Sequence, residues 1–393
     1  MNTVAVLGGG PAGSFAAERL ARAGLKTMVF DEKLAWEKPC GGGLTYKAYK
    51  QYPFLIENTT PKKLITHTNL AAPKVGSVAM PLSQPLVIYS RYDLNNMLLE
   101  RAERAGAQIE KTRVLEVQRQ DRGWTLKTRD GTAEADFCIV ATGARNSLKN
   151  VGTEYSASDT ACALGYFVPS EKEQIDIQFL SKLEGYIWVF PRCGHLSVGI
   201  CGKGESSQAL RARLEKYMQE RDIPWKDATF FAHLLPSLES ASWHRNRVSG
   251  DGWMAVGDAA GLVDPITGEG LYYAMRSGDL ASQTLLSDEH PMEAKAHAYR
   301  SAIHHDFMAD LAFGAMLAKR VFLGRMLFST VPAQMVRFIR RSPRFTALMQ
   351  DLFAGTQPYL GLKSRLLRSL EGSRHELIMN LFLNKLLPSQ ETA

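Results

Sequence analysis

A glycine turn set between a strand and a helix near the start of the chain constrains the fold more than any other feature. Thr3–Leu7 (TVAVL) is a short apolar run, followed by Gly8-Gly9-Gly10-Pro11-Ala12-Gly13 and the helical SFAAERLARAG that ends at Gly24. A second apolar run, Thr27–Phe30, is closed by Asp31. Strand, glycine turn, helix, strand and acid, in that order, make a dinucleotide-binding βαβ unit. In such a unit Gly8 allows the tight turn, Gly10 admits a pyrophosphate, and Gly13 lets helix and strand pack closely. Pro11 and Ala12 open the helix, where free amides meet phosphate. Asp31 is placed at the ribose hydroxyls, with Glu32 and Lys33 continuing that edge of the site.

Three later segments separate FAD from NAD. Ser90-Arg91-Tyr92-Asp93 opens a helix running to about Gly106, which sets Arg91 near cofactor phosphate or ribityl oxygens. A β-meander is predicted over Val114–Gln118, Trp124–Thr128 and Phe137–Ala141, with turns at Asp121–Gly123 and Asp130-Gly131. It ends in Ala141-Thr142-Gly143-Ala144, where small residues let the chain turn beside adenine. The most specific segment is GDAAGLVDPITGEG, Gly257 to Gly270: a strand (Trp253–Val256) delivers Asp258 to a ligand hydroxyl, and a long helix begins near Glu269. The positive end of that helix would face the edge of a flavin where negative charge collects on reduction.

This ordered set resembles the geranylgeranyl reductases, flavoproteins within the para-hydroxybenzoate-hydroxylase-like superfamily. The resemblance covers about Asn2 to Ser287 and rests on GGGPAG, KPCGGGL, the arginine-led helix, ATGA, GYIWVFP and GDAAGLVDPITGEGLYYAMRSG. It implies FAD held by the first glycine turn, Asp31, Arg91 and the Gly257-Asp258 segment. Ala141, Thr142, Gly143, Pro265, Gly268, Glu269 and Gly270 are further candidate cofactor contacts. Asn95 stands where such proteins often carry aspartate, and Thr142 where many have an acid. The implied fold is α/β: a Rossmann-like FAD-binding domain (residues 1–60, 91–160 and 246–290) interleaved with an antiparallel β-sheet substrate domain (61–90 and 161–245). A C-terminal helical region (291–393) follows.

The stretch Glu37–Leu44 (EKPCGGGL) sets one cysteine before three glycines, which cost chain entropy and pack nothing, so close approach of some group must require them. The resemblance places Gly41, Gly42 and Gly43 beside the isoalloxazine and Cys40 near the reacting carbon. An isolated alkene is a poor hydride acceptor, so a proton must arrive nearly together with the hydride. Cys40 is the first candidate for shaping or protonating that locus, with a small buried thiol of no chemical role as the alternative. Tyr46 and Tyr186 are the next. In GYIWVFP a period of two puts Tyr186, Trp188 and Phe190 on one strand face, as ordinary core or as the wall of a substrate tunnel. The resemblance favours the tunnel and a prenyl reductase. Two other readings remain: a flavin monooxygenase or halogenase, for which Lys74 could be offered as the tunnel lysine, and a non-catalytic FAD-containing scaffold.

Composition narrows the setting. Five cysteines without CxxC spacing or a Cys/His cluster suggest reduced thiols and no metal site. The start MNTVAVLGGG lacks a basic n-region, and no apolar run approaches the ~20 residues of a membrane span. These features point to a cytoplasmic enzyme without nucleic-acid partners, served by NADPH, ferredoxin or another reductant. From Ser301 to Ala393 there are twelve Lys/Arg against six Asp/Glu, most of the net +7. Basic amphipathic helices over Asp306–Phe328, Val331–Arg341 and Tyr359–Leu370 can cap the substrate lobe or lie on an anionic bilayer. The first reads as a cap. For the last two both readings stand, including peripheral contact with the inner face of the membrane.

Overall fold

The computed structural model describes residues 2–326 and 329–370. Thr3–Leu7, buried almost throughout, is central in a six-stranded sheet. The strand order is Ser249–Gly250, Trp253–Ala255, Phe137–Val140, Thr3–Leu7, Lys26–Phe30, Gln108–Glu110. All pairings are parallel except the short antiparallel edge of Ser249–Gly250 on Trp253–Ala255. Helices Pro11–Arg22 and Leu271–Leu286 cross closely on this sheet. At Gly278 an added Cβ would fall 2.6 Å from the Ala12 carbonyl oxygen, so only glycine fits the crossing.

The predicted meander is corrected in its third strand. Val114–Arg119, Trp124–Thr128 and Thr132–Ala135 form the three-stranded sheet. Phe137–Val140 instead joins the parallel sheet, with Val6 paired to Ile139. Its four residues are all buried, whereas Thr132–Ala135 is mostly open to solvent. A continuous apolar run marks a strand covered on both faces, and that is what a parallel sheet requires.

The second sheet has eight strands, in the order Thr229–Pro236, Thr160–Val168, His195–Lys203, Glu184–Arg192, Ile175–Phe179, Lys63–Ala72, Gly76–Ile88, Gly43–Leu44. It is antiparallel apart from one parallel pairing, Ile177 beside Leu70. The alternation of GYIWVFP sorts its side chains. Ile187 and Val189 pack with Leu210, Leu214 and Met218 of helix Ser207–Glu220, while Tyr186, Trp188 and Phe190 face Phe345, Leu348 and Met349 of the tail. Gly43–Leu44 pairs with Ile88 and Val87, so the cysteine-glycine stretch is tied to this second sheet.

Helix Met292–Ile303 runs through a π turn at His304–Met308 into Ala309–Leu323. A small hairpin, Arg325–Met326 against Ser329–Thr330, interrupts the tail that was expected to be purely helical. Helices Val331–Arg341, Pro343–Ala354 and Leu362–Leu370 follow. The remainder of the predicted helical region, 371–393, lies outside the described residues. Among the described residues no helix is long and apolar enough to cross a membrane, and no cluster of three His, Cys, Asp or Glu could hold a metal ion.

Candidate active site

The first glycine turn is built as a cradle. Gly8 has φ +118°, and a Cβ there would lie 2.3 Å from the Ala141 carbonyl oxygen. A Cβ on Gly13 would lie 1.9 Å from the Gly8 oxygen, so helix and strand touch through backbone. Gly10 is different: nothing lies within 4 Å of its Cβ position. It is the N-cap of helix Pro11–Arg22 and offers no side-chain cap, which leaves the first-turn amides facing open space. Asp31 Oδ2 accepts from the Gly9 amide at 2.7 Å, and Oδ1 accepts from the amides of Lys33 at 2.8 Å and Leu34 at 2.9 Å. The acid thus knots the turn to the strand end and keeps lone pairs for a ligand hydroxyl.

The neighbours of Asp31 are committed to the protein. Glu32 pairs with Arg113 and Arg129, and the Lys33 ammonium lies 4.2 Å over the Trp36 ring. Thr142 donates to Asn146 Oδ1 at 3.0 Å, and Gly143 adopts φ +76° next to the Lys38 ammonium. Arg91 is the first residue of helix Arg91–Arg104 and only 4% exposed. One of its amino groups donates to Asn95 Oδ1 at 3.3 Å, which gives Asn95 a purpose, but its Nε has no partner. A buried guanidinium with an orphaned donor fits a phosphate or polyol oxygen.

The cysteine segment is held by a strut that the sequence did not announce. Arg192, whose side chain is fully buried, donates to Glu37 and to the Cys40 carbonyl oxygen. Ser197 donates to that same carbonyl at 2.9 Å. Glu37 also accepts from the amides of Arg91 and Tyr92, at 2.9 and 3.3 Å. Burial alone would push the Glu37 carboxyl up, but the Arg192 charge and these amides overcome it and hold the carboxyl below its usual value. The Cys40 thiol accepts from the Gly42 amide at 3.3 Å. What comes close to the glycines is the protein itself. A Cβ at Gly41 would lie 2.4 Å from the Phe190 ring, and one at Gly42 (φ +82°) 2.1 Å from the Tyr89 carbonyl oxygen.

Lys38 joins the cysteine segment to the GDAAG turn, its ammonium 3.2 Å from Asp258 Oδ2. Burial opposes ionisation of Asp258, yet Lys38, His233 and Arg91 together keep its carboxyl below the ordinary range. Across from it, burial and the Lys38 charge push His233 down to about 4, so its ring is neutral at physiological pH. Downstream, Asp264 accepts from the amides of Ile266 and Thr267 at 2.8 and 2.9 Å, and from the Tyr359 hydroxyl at 2.9 Å. This shapes Pro265–Gly270 ahead of helix Leu271–Leu286. Gly268 (φ +70°) packs against the Tyr186 hydroxyl.

A cavity of about 810 Å³ opens from these two segments. Cys40, the three glycines, Gly268, Glu269 and Gly270 line one end. Tyr186, Trp188 and Phe190 form a wall, and tail residues such as Leu348, Met349 and Leu352 line the space as well. The tail's apolar sides therefore face the cavity. Tyr186 donates to the Thr267 carbonyl oxygen, and burial pushes its phenol far above the usual value. Tyr46 does not line the cavity; it begins helix Tyr46–Gln51 and packs on Tyr49, while Thr45 and Lys47 beside it do line the space. Sequence reasoning missed Glu37, Lys38, Thr45, Lys47, Arg192, His233 and Asp264. Glu37 and Lys38, inside the EKPC stretch, and Asp264, inside GDAAGLVDPITGEG, carried a signal.

The sequence profile of the pyridine nucleotide-disulphide oxidoreductases matches residues 2–164. A chloroplastic geranylgeranyl diphosphate reductase of Arabidopsis thaliana is 29% identical over 72% of this chain and 65% of its own length. A menaquinone reductase of Mycolicibacterium smegmatis is 28% identical over 85% of this chain and 89% of its own. Among solved structures, a geranylgeranyl bacteriochlorophyll reductase-like protein of Thermoplasma acidophilum superposes with TM-score 0.74 at 21% identity, covering 98% of this chain and 100% of that one. A flavin-dependent brominase follows the same fold with TM-score 0.70 at 17% identity, covering 97% and 98%. The open cradle at Gly10, the orphaned Arg91 donor and the Asp258 turn fit FAD. With these relatives, they identify the chain as an FAD-dependent oxidoreductase that is similar to the geranylgeranyl reductases.

Proposed function

We propose that this enzyme reduces isolated double bonds of a geranylgeranyl-type prenyl chain carried on a lipid, a quinone or a prenyl diphosphate. The cavity carries this reading: it is long, apolar, aromatic on one wall, and begins at the segments that fit the cofactor. Each methylene moved from water into such a space contributes ~0.8 kcal/mol, so a long prenyl chain is drawn in without polar contacts. The names of the plant and mycobacterial relatives support the substrate class.

When bound and reduced, FAD supplies the hydride. The chain's own residues bind, orient and exclude water. Trp188 and Phe190 give the chain a flat wall, with the Trp188 indole fixed by the Ser197 hydroxyl at 3.2 Å. Glu37 and Arg192 hold the Cys40 segment rigid at the cavity end. NADPH, ferredoxin or another soluble reductant would recharge the site. Arg341, Arg344 and Arg368 stand exposed on helices that cover the cavity, which supports peripheral contact with an anionic membrane on the cytoplasmic side. Binding to anionic liposomes at low salt, lost at high salt, is expected; no binding at low salt would sink that contact.

The brominase-like fold supports a second reading, oxygen-dependent halogenation or hydroxylation. Lys74, the lysine offered for it, is exposed at a hairpin turn with φ +67° and does not line the cavity. The two readings separate in one experiment. Anaerobically reduced flavin on the purified yellow protein should be reoxidised by a geranylgeranyl compound, with a saturated product. Rapid reoxidation by oxygen that yields an oxygenated or halogenated product, and none by the prenyl compound, would overturn the reductase assignment.

A further inference from the structure

We propose that Glu269 is the acid that delivers the proton to the substrate double bond, a role that rests on the reductase reading above. The carboxyl lines the cavity at the end that also holds Cys40 and Gly268. Glu269 is half-buried there.

Two phenols and two carboxylates near this end are committed elsewhere. The Tyr186 hydroxyl points its hydrogen at the Thr267 carbonyl, and the Tyr359 hydroxyl donates to Asp264. Asp264 takes two backbone amides besides, and Asp310 accepts the Leu360 amide at 2.8 Å, so both carboxylates anchor loops. Glu269 is held more loosely, by the Thr45 hydroxyl at 3.4 Å. Thr45 follows Gly43 by two residues, so this bond ties Glu269 to the backbone beside the Cys40 glycine segment.

The charges around Glu269 suit a group that gives up and regains a proton. Lys47 faces it from helix Tyr46–Gln51, its ammonium 4.5 Å from the Tyr272 ring centre and 5.3 Å from that of Tyr273. Asp264 faces it from the loop below, Asp310 from the tail, and Tyr272, Tyr273 and Tyr359 complete the surroundings. Burial and the Asp264 charge push the carboxyl up to about 7, against Lys47 and the Thr45 hydrogen bond. Near neutrality both forms are populated. In the reduction, one alkene carbon gains the hydride, and the π electrons take the Glu269 proton at the other carbon. The reduced flavin loses two electrons. The new carboxylate sits beside Lys47 and Thr45 and is reprotonated from solvent between turnovers.

Three variants test this, with rates normalised to FAD content. Glu269→Gln should slow prenyl-driven reoxidation of the reduced flavin at least a hundredfold, and Glu269→Asp should recover part of it. Lys47→Met, which removes the cation that favours the carboxylate, should move the alkaline fall of the rate to higher pH. A readout independent of the cofactor is urea unfolding of the FAD-free protein. Glu269→Gln should unfold at a higher urea midpoint than wild type at pH 8.5, and the gap should shrink by more than half at pH 5, because the burial penalty grows as pH rises from the ordinary carboxyl value to the raised folded one. Wild-type reoxidation by Glu269→Gln, or a midpoint difference independent of pH, overturns the proposal alone. Failure of the wild-type protein itself to be reoxidised by any prenyl compound overturns the reductase reading, and the proposal with it.

Discussion

Gly10 and Gly42 show how differently one residue type can be demanded. At Gly42 both the left-handed φ of +82° and the Tyr89 carbonyl at 2.1 Å exclude a side chain, and the obstacle is backbone that cannot rotate away. Gly42→Ala should therefore cost about 2–4 kcal/mol of stability, measured by urea unfolding. Gly10 has an ordinary φ of −72° and no neighbour at its Cβ position, so the fold does not need it. Gly10→Ala should leave unfolding within about 0.5 kcal/mol of wild type while weakening FAD binding at least tenfold, read by fluorescence titration of the apoprotein. Equal FAD affinity in the two proteins would mean that no pyrophosphate approaches there. The sequence makes the first glycine turn legible because spacing, flanks and the acid agree. It leaves the second triplet opaque: glycine spacing says that something is close, not that Phe190, about 150 residues on, is that something.

Elements are legible where their periodicity is strong, and less so where long-range partners decide. The alternation in GYIWVFP assigned both faces of its strand, and the structure packs them against two different cores. Phe137–Val140 was assigned to the wrong sheet because a four-residue apolar run does not name its neighbour. Helix Leu271–Leu286 shows a further case. Gln283 and Leu286 in its last turn are exposed, but orphan carbonyls on its buried side are met by the ammonium of Lys295, which is 6% exposed. Lys295 Nζ donates to Thr284, Leu285 and Ser287 at 3.0, 2.9 and 2.7 Å. Nothing in the sequence around PMEAKAHAYR marks this lysine as a helix cap. Lys295→Met keeps the aliphatic stem and removes all three bonds, so it should cost about 2–3 kcal/mol, with faster amide exchange confined at first to that helix end. A loss below about 0.5 kcal/mol would show that water replaces the ammonium.

For the whole molecule, the cofactor domain could be read from its motifs, while the closure of the substrate space could not. Basic helices rich in Leu, Met and Phe suit a bilayer surface and a protein cap equally well. In the structure, helix Pro343–Ala354 lies along strand Gly76–Ile88 and turns Phe345, Leu348 and Met349 onto the cavity. Arg340, just ahead of it, fastens this cap by donating to the carbonyls of Val75 and Ser77 at 2.8 and 2.7 Å. The cap lines the cavity, and its C-terminal end reaches the side of the Cys40 segment, where Gly355 packs on Thr45 and Lys47. A larger side chain within the cap should therefore narrow the apolar space. For Met349→Trp, Met349 belongs to the buried cluster and also lines the cavity, so the void takes up part of the indole and the cost should stay below about 3 kcal/mol. FAD content and reduction by dithionite should match wild type. Reoxidation by a geranylgeranyl substrate should fall at least tenfold, while a geranyl analogue, which needs less of the channel, should keep most of its rate. If both substrates lose rate equally, or neither does, the prenyl chain does not run past Met349, because a block there can discriminate only between chains that reach it.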